Sequence, residues 1–128
     1  MTATLDRALA RPTADAPGVT SRRLYQPQVF TTPWAYVDHV LVAPGTTTPA
    51  KMHDTIGEAF YVIAGSGRIT IGGETAPIVV GDAIPVRLGE TSSLVNAGSE
   101  PLELLAVGVA RDLEAKTAFI LASAPRRP

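Results

Sequence analysis

Two stretches decide the fold: residues 45–65, GTTTPAKMHDTIGEAFYVIAG, and residues 81–96, GDAIPVRLGETSSLVN. Each opens at a glycine and runs through short segments rich in Val, Ile and Thr, in which apolar and polar residues alternate. Period-two alternation puts successive side chains on opposite faces of an extended backbone, so these segments read as half-buried strands. The same pattern extends outward over residues 24–110, broken by Gly or Pro roughly every 8–12 residues, as in an all-β sandwich or barrel. Ten of the eleven glycines lie between Gly45 and Gly108. Strands are predicted near 28–32, 36–42, 51–53, 58–64, 67–72, 76–80, 83–87, 92–96 and 102–110. Gly65-Ser66-Gly67 and Gly72-Gly73 read as hairpin turns, because glycine takes positive φ without a Cβ clash.

The flanks differ from this core. Residues 1–23 mix Ala, Thr, Pro and Arg without apolar periodicity and read as a disordered N-terminal tail, with order beginning near Leu24. The core domain is expected over 24–112, followed by a short helix or edge strand within 113–128. A chain of 128 residues holds one hydrophobic core. Its 45% apolar and 18% charged residues, with mean hydropathy +0.17, exceed what a disordered chain carries. No apolar run approaches the roughly 18 residues of a membrane span, and no secretory signal is evident, so no membrane partner and a cytoplasmic location are expected. The absence of cysteine excludes disulfides, thiolate metal sites and a Cys nucleophile.

Charge is unevenly distributed. Residues 1–23 carry four Arg against two acids, and 111–128 carry three Arg and Lys116 against two acids. The middle, 24–110, has only Lys51, Arg68 and Arg87 against eight acids, a net of −5. An acidic body without a basic stripe argues against nucleic acid as a partner, since that affinity depends on neutralising phosphates.

Taken together, Gly45, Lys51, His53, Glu58 and Gly65, followed by Gly81, Arg87, Gly89, Ser92 and Asn96, resemble the two sequence motifs of the cupin family. In the first family motif a His stands where this chain has Lys51. In the second, a Pro stands at the position of Arg87 and a His at that of Ser92. The resemblance covers about 45–110 and implies a single-domain jelly-roll barrel, the double-stranded β-helix. It also implies pairing into a homodimer through sheet edges such as the strand near 28–32.

In typical cupins the four motif positions hold one divalent metal. Here Lys51 and Ser92 occupy two of them, and His53 and Glu58 remain, fewer than the three protein ligands usual in catalytic sites. No metal or other cofactor is therefore expected. Glu58 inside an apolar barrel needs compensation, which the Lys51 ammonium can provide. The pair then either fills the former metal position without chemistry or serves as an acid–base set in which Lys51 is base, acid or Schiff-base amine.

Strand parity adds candidates. By resemblance Tyr36 and Asp38 face the cavity, with Phe60, Val62, Leu94 and Leu104 as apolar walls, and His39 on the opposite face packs rather than ligates. Trp34 either caps the barrel mouth or packs at a dimer contact. Arg68 reads as a solvated outer charge, and Asp82 as a turn residue.

Three functions compete. The first is metal-independent acid–base isomerisation, cyclisation or dehydration of a small organic molecule, using Lys51, His53, Glu58 and Tyr36, with Asp38 and Ser92 binding. The second is a non-catalytic small-molecule binding or sensing domain. The third is a weak dioxygenase-like site with metal on His53 and Glu58.

Overall fold

The computed structural model describes residues 13–123, arranged as eleven strands and one α-helix. A six-stranded antiparallel sheet has the order β1-β2-β3-β11-β6-β9, made of Thr13–Ala16, Val19–Tyr25, Trp34–Val42, Leu102–Ala110, Ile56–Ala64 and Ala83–Val86. A second sheet has the order β4-β10-β7-β8, from Thr46–Thr47, Thr91–Asn96, Ser66–Ile71 and Glu74–Val79, and β5 (Lys51–Met52) also pairs with β10. Sequence neighbours cross between the two sheets, as in a jelly roll. Helix α1, Leu113–Ser123, follows β11 and starts at Asp112, whose Oδ1 accepts the Ala115 amide at 2.8 Å, an N-cap. Among the described residues no helix is long and apolar enough to cross a membrane.

Eight of the nine predicted strands are present, and the helix alternative holds at the C-terminal end. Two expectations are corrected. The segment near 28–32 is a 3₁₀ turn, Pro27–Val29, followed by irregular chain, because two prolines, Pro27 and Pro33, bracket it and interrupt ladder pairing. The sheet edge on which the dimer expectation rested is therefore absent. Order also begins well before Leu24: residues 13–25 form the β1–β2 hairpin, which extends the larger sheet beyond β3. Its turn is Pro17-Gly18, with Gly18 at φ 78°. β2 pairs with β3 from Val19 to Tyr25, and Val19 is buried. Residues 1–12 of the expected tail, and 124–128, lie outside the described residues.

The Gly72-Gly73 turn has φ of 57° and 88°, and Ile71 pairs with Glu74 around it, the two-residue geometry whose twist suits a hairpin. The main core lies between the sheets and contains Val42, Phe60, Val62, Ile69, Leu94 and Leu104. A smaller one, with Ala35, Tyr36, Ile56 and Ala115, lies beneath α1. Lys116 anchors the helix by donating to the Phe30 and Thr32 carbonyls at 2.5 and 2.6 Å. Asn96, fully buried, fastens β10 to the neighbouring chain: its Nδ2 donates to the Val42 and Glu100 carbonyls.

Candidate active site

The inward side chains of the central strand β11 are Leu102, Leu104, Ala106 and Gly108. They shrink along the strand, and this taper locates the cavity. Leu104 lies between Val40 of β3 and Val62 of β6; Leu104 and Val62 are fully buried core, and Val40 borders the cavity. One row on, Ala106 lies between Asp38 and Phe60, and a cavity of about 300 Å³ opens. In the last row Gly108 lies between Tyr36 and Glu58. A Cβ at Gly108 would overlap the Tyr36 ring, so its absence lets the ring cross the strand.

Tyr36 thereby donates its hydroxyl to Oε2 of Glu58 at 2.5 Å. Glu58 is 5% exposed and lines the cavity, and its other oxygen, Oε1, has no hydrogen-bond partner. Burial pushes the Tyr36 phenol well above its ordinary value, and the charge of Glu58 pushes it further. The phenol stays protonated and acts as a fixed donor. Asp38, also on the wall, accepts from Arg23, its cross-strand neighbour on β2: Nε donates to Oδ1, and Nη2 to Oδ2 at 3.2 Å. Desolvation raises the Asp38 carboxyl, and the Arg23 guanidinium opposes the rise. That guanidinium also lies 4.8 Å from the centroid of the Tyr36 ring. Arg23, Asp38, Tyr36 and Glu58 thus form one connected set.

The structure distributes the expected site residues as follows. Glu58, Asp38, Ser92, Phe60 and Leu94 line the cavity, and Tyr36 holds Glu58 from the side. Lys51 also lines it but is exposed, on the two-residue strand β5, and makes no ion pair with Glu58. The expected Lys51–Glu58 pairing is replaced by Tyr36–Glu58, since a phenol that crosses Gly108 reaches the carboxylate within the sheet. His53 is not among the lining residues, and its buried Nε2 has no hydrogen-bond partner. Val62 and Leu104 are fully buried core below the cavity rather than its walls. Trp34 is 41% exposed, its ring tilted against that of Phe30 with centroids 6.1 Å apart, and it is not among the lining residues. His39 bonds Glu103 at 2.6 Å, a packing role. Arg68 is exposed, and Asp82 accepts the Val79 amide in its turn.

Sequence reasoning missed Arg23, Ala106 and Gly108. The signal was present in VTSRRLY, where Val19, Ser21 and Arg23 share one face after a Pro-Gly turn, and in LELLAVGVA, whose alternate residues shrink.

A divalent metal is a poor fit to the family ligand positions here. Lys51 and Ser92 are cross-strand partners, so the ammonium and a neutral hydroxyl stand together where the resemblance places two imidazoles. One oxygen of Glu58 is already engaged by Tyr36. Among the described residues no three His, Cys, Asp or Glu side chains converge.

Comparison with known proteins is consistent with the barrel. The family model "Cupin domain" matches residues 38–108. A mannose-1-phosphate guanylyltransferase of Salmonella typhimurium is 37% identical over 71 residues, 56% of this chain but only 15% of that protein. The chain therefore spans a small part of such relatives. An oxalate-binding protein of Thermotoga maritima is 34% identical over 64 residues, 50% of this chain and 53% of that one. Among solved structures, a predicted oxalate decarboxylase of Thermotoga maritima superposes with TM-score 0.74 at 24% identity, covering 81% of this chain and 96% of that one. A Cupin 2 conserved barrel domain protein of Salinispora arenicola gives 0.68 at 22%, covering 91% and 92%.

Proposed function

Since the chain belongs to the cupin domain family, we propose that its barrel cavity takes a small organic molecule and processes it by metal-independent acid–base chemistry: isomerisation, cyclisation or dehydration. The observation that carries this reading is the divided state of Glu58, with Oε2 held by Tyr36 and Oε1 buried, unpartnered and on the cavity wall. A buried acceptor without a partner is costly unless a ligand supplies one. In this reading Oε1 accepts a proton from the ligand and returns it to a neighbouring atom. Tyr36 keeps the carboxylate aimed, and Lys51 at the mouth offers an ammonium to negative charge. The cavity lies at the small end of ligand pockets, which run from roughly 300 to 1,000 Å³. The oxalate-binding relative, named for a small organic acid, supports a ligand of this size.

A second reading, small-molecule binding or sensing without turnover, is favoured by the position of His53. The imidazole expected to share proton transfer with Glu58 is not among the cavity-lining residues, and Asp38 on the wall is engaged by Arg23.

Deuterium exchange separates the two. Compounds that raise the melting temperature are incubated with the protein in deuterium oxide and followed by proton NMR. Acid–base turnover is expected to give product or carbon-bound deuterium with the parent, and neither with Glu58→Gln. Binding without exchange establishes the sensor reading, and equal exchange by both proteins overturns the role of Glu58.

A further inference from the structure

The charged groups around the cavity are unequally satisfied. Asp38 is neutralised within the chain by the two-point contact with Arg23. Among the described residues two charges at the cavity lack such a partner. Glu58 keeps one buried oxygen unbonded in the wall, and Lys51, exposed at the mouth, makes no ion pair. The same cavity is lined by the apolar side chains of Val40, Phe60 and Leu94.

We infer that the cavity is built for a small monocarboxylic hydroxy acid, its carboxylate facing the Lys51 ammonium, its hydroxyl donating to Oε1 of Glu58, and its apolar body against Phe60 and Leu94. The inference rests on the reading of Glu58 as the acceptor that meets the ligand. Three arguments select the class. A hydroxyl has one proton to give, and Oε1 is one vacant acceptor; an ammonium would bring three donors to a mostly apolar wall. A second carboxylate on the ligand would stand against Glu58 with like charge, so a dicarboxylate such as oxalate is disfavoured. A neutral ligand leaves the Lys51 charge without a counterpart at the mouth. Register fixes these positions: Lys51 faces Ser92 across β5 and β10, and Glu58 lies in the Gly108 row of the opposite sheet. The two anchors stand on different sheets with the cavity between.

The test is calorimetric titration of the full chain with four probes of one skeleton: mandelate, mandelamide, phenylacetate and phenylglycine. Mandelate is expected to bind most tightly, with mandelamide and phenylacetate each weaker by roughly tenfold, the scale of one charge-assisted contact. Lys51→Met, a change at an exposed residue, should level mandelate with mandelamide and keep the preference for mandelate over phenylacetate. Glu58→Leu should do the reverse. Added salt should erode the acid-over-amide preference first, because Lys51 is open to solvent. Equal binding of mandelate and mandelamide by the parent, tighter binding of phenylglycine, or no binding by any of the four overturns the ligand class. A hydroxyl preference that survives Glu58→Leu overturns instead the role of Glu58, so the two failures are distinguishable.

Discussion

Tyr36 reaches Glu58 by crossing Gly108, and that single contact satisfies half of a buried carboxylate. Tyr36→Phe is expected to lower stability by roughly 1–3 kcal/mol, because both Glu58 oxygens then lack a partner. The difference should depend on pH. The folded phenol titrates above its ordinary value, so the stability it contributes is complete below about pH 10 and declines as the pH rises beyond it, where an unfolded tyrosine ionises. Melts of parent and Tyr36→Phe at neutral pH and at about pH 11 should therefore converge; a constant gap would mean that Tyr36 is not protonated by its surroundings. A second residue-level test concerns the ammonium and hydroxyl that face one another at Lys51 and Ser92. Lys51→His with Ser92→His places two imidazoles as cross-strand neighbours beside Glu58 and is expected to create zinc binding, read by equilibrium dialysis and elemental analysis. A double variant that retained no more zinc than the parent would sink the alignment of the two sequence motifs.

Among the elements, β11 sets the cavity by the sizes of its inward residues. Ala106→Leu should fill the space beside Phe60, leaving the melting temperature unchanged or higher while abolishing ligand binding; a loss of several degrees would mean that the row is already filled. The strands of the barrel were legible because alternation and glycine punctuation are local properties. The cavity was less so. Phe60 and Leu104 share inward parity, yet one lines the cavity and the other is solid core, and only the neighbour across the sheet, Ala106 or Val40, decides between them. The Lys51–Glu58 pairing was expected from the resemblance, which puts both at ligand positions of the family motif, whereas Tyr36 reaches Glu58 through a register across β11 that the motif does not contain. The hairpin 13–25 escaped notice for a related reason. Its residues are too polar to show a core-facing pattern, and Arg23 is fixed by Asp38, a partner fifteen positions away.

For the molecule as a whole, the two sheets differ at their free edges. β8 and β9, the outer strands on one side, carry Pro77 and Pro85, which remove ladder donors and hinder pairing with other chains. On the other side the larger sheet ends at β1, which has no proline. We propose that two copies, expected from the resemblance, pair through that edge. Sedimentation velocity at micromolar concentration is expected to show a dimer that becomes a monomer when residues 1–16 are removed; a dimer that survives the truncation would place the contact elsewhere. The position of β2 has one more consequence. It is held on one side by a four-residue strand, yet Val19 and Ser21 on it form part of the cavity wall. A strand near a sheet edge opens more readily than the centre of the sheet, and an occupant of the cavity resists that opening by its own binding free energy. The backbone amides of residues 19–23 should thus exchange their hydrogens slowly when the barrel is filled and quickly when it is empty, so an isotope-labelling time course on this short peptide reports occupancy without knowledge of the reaction.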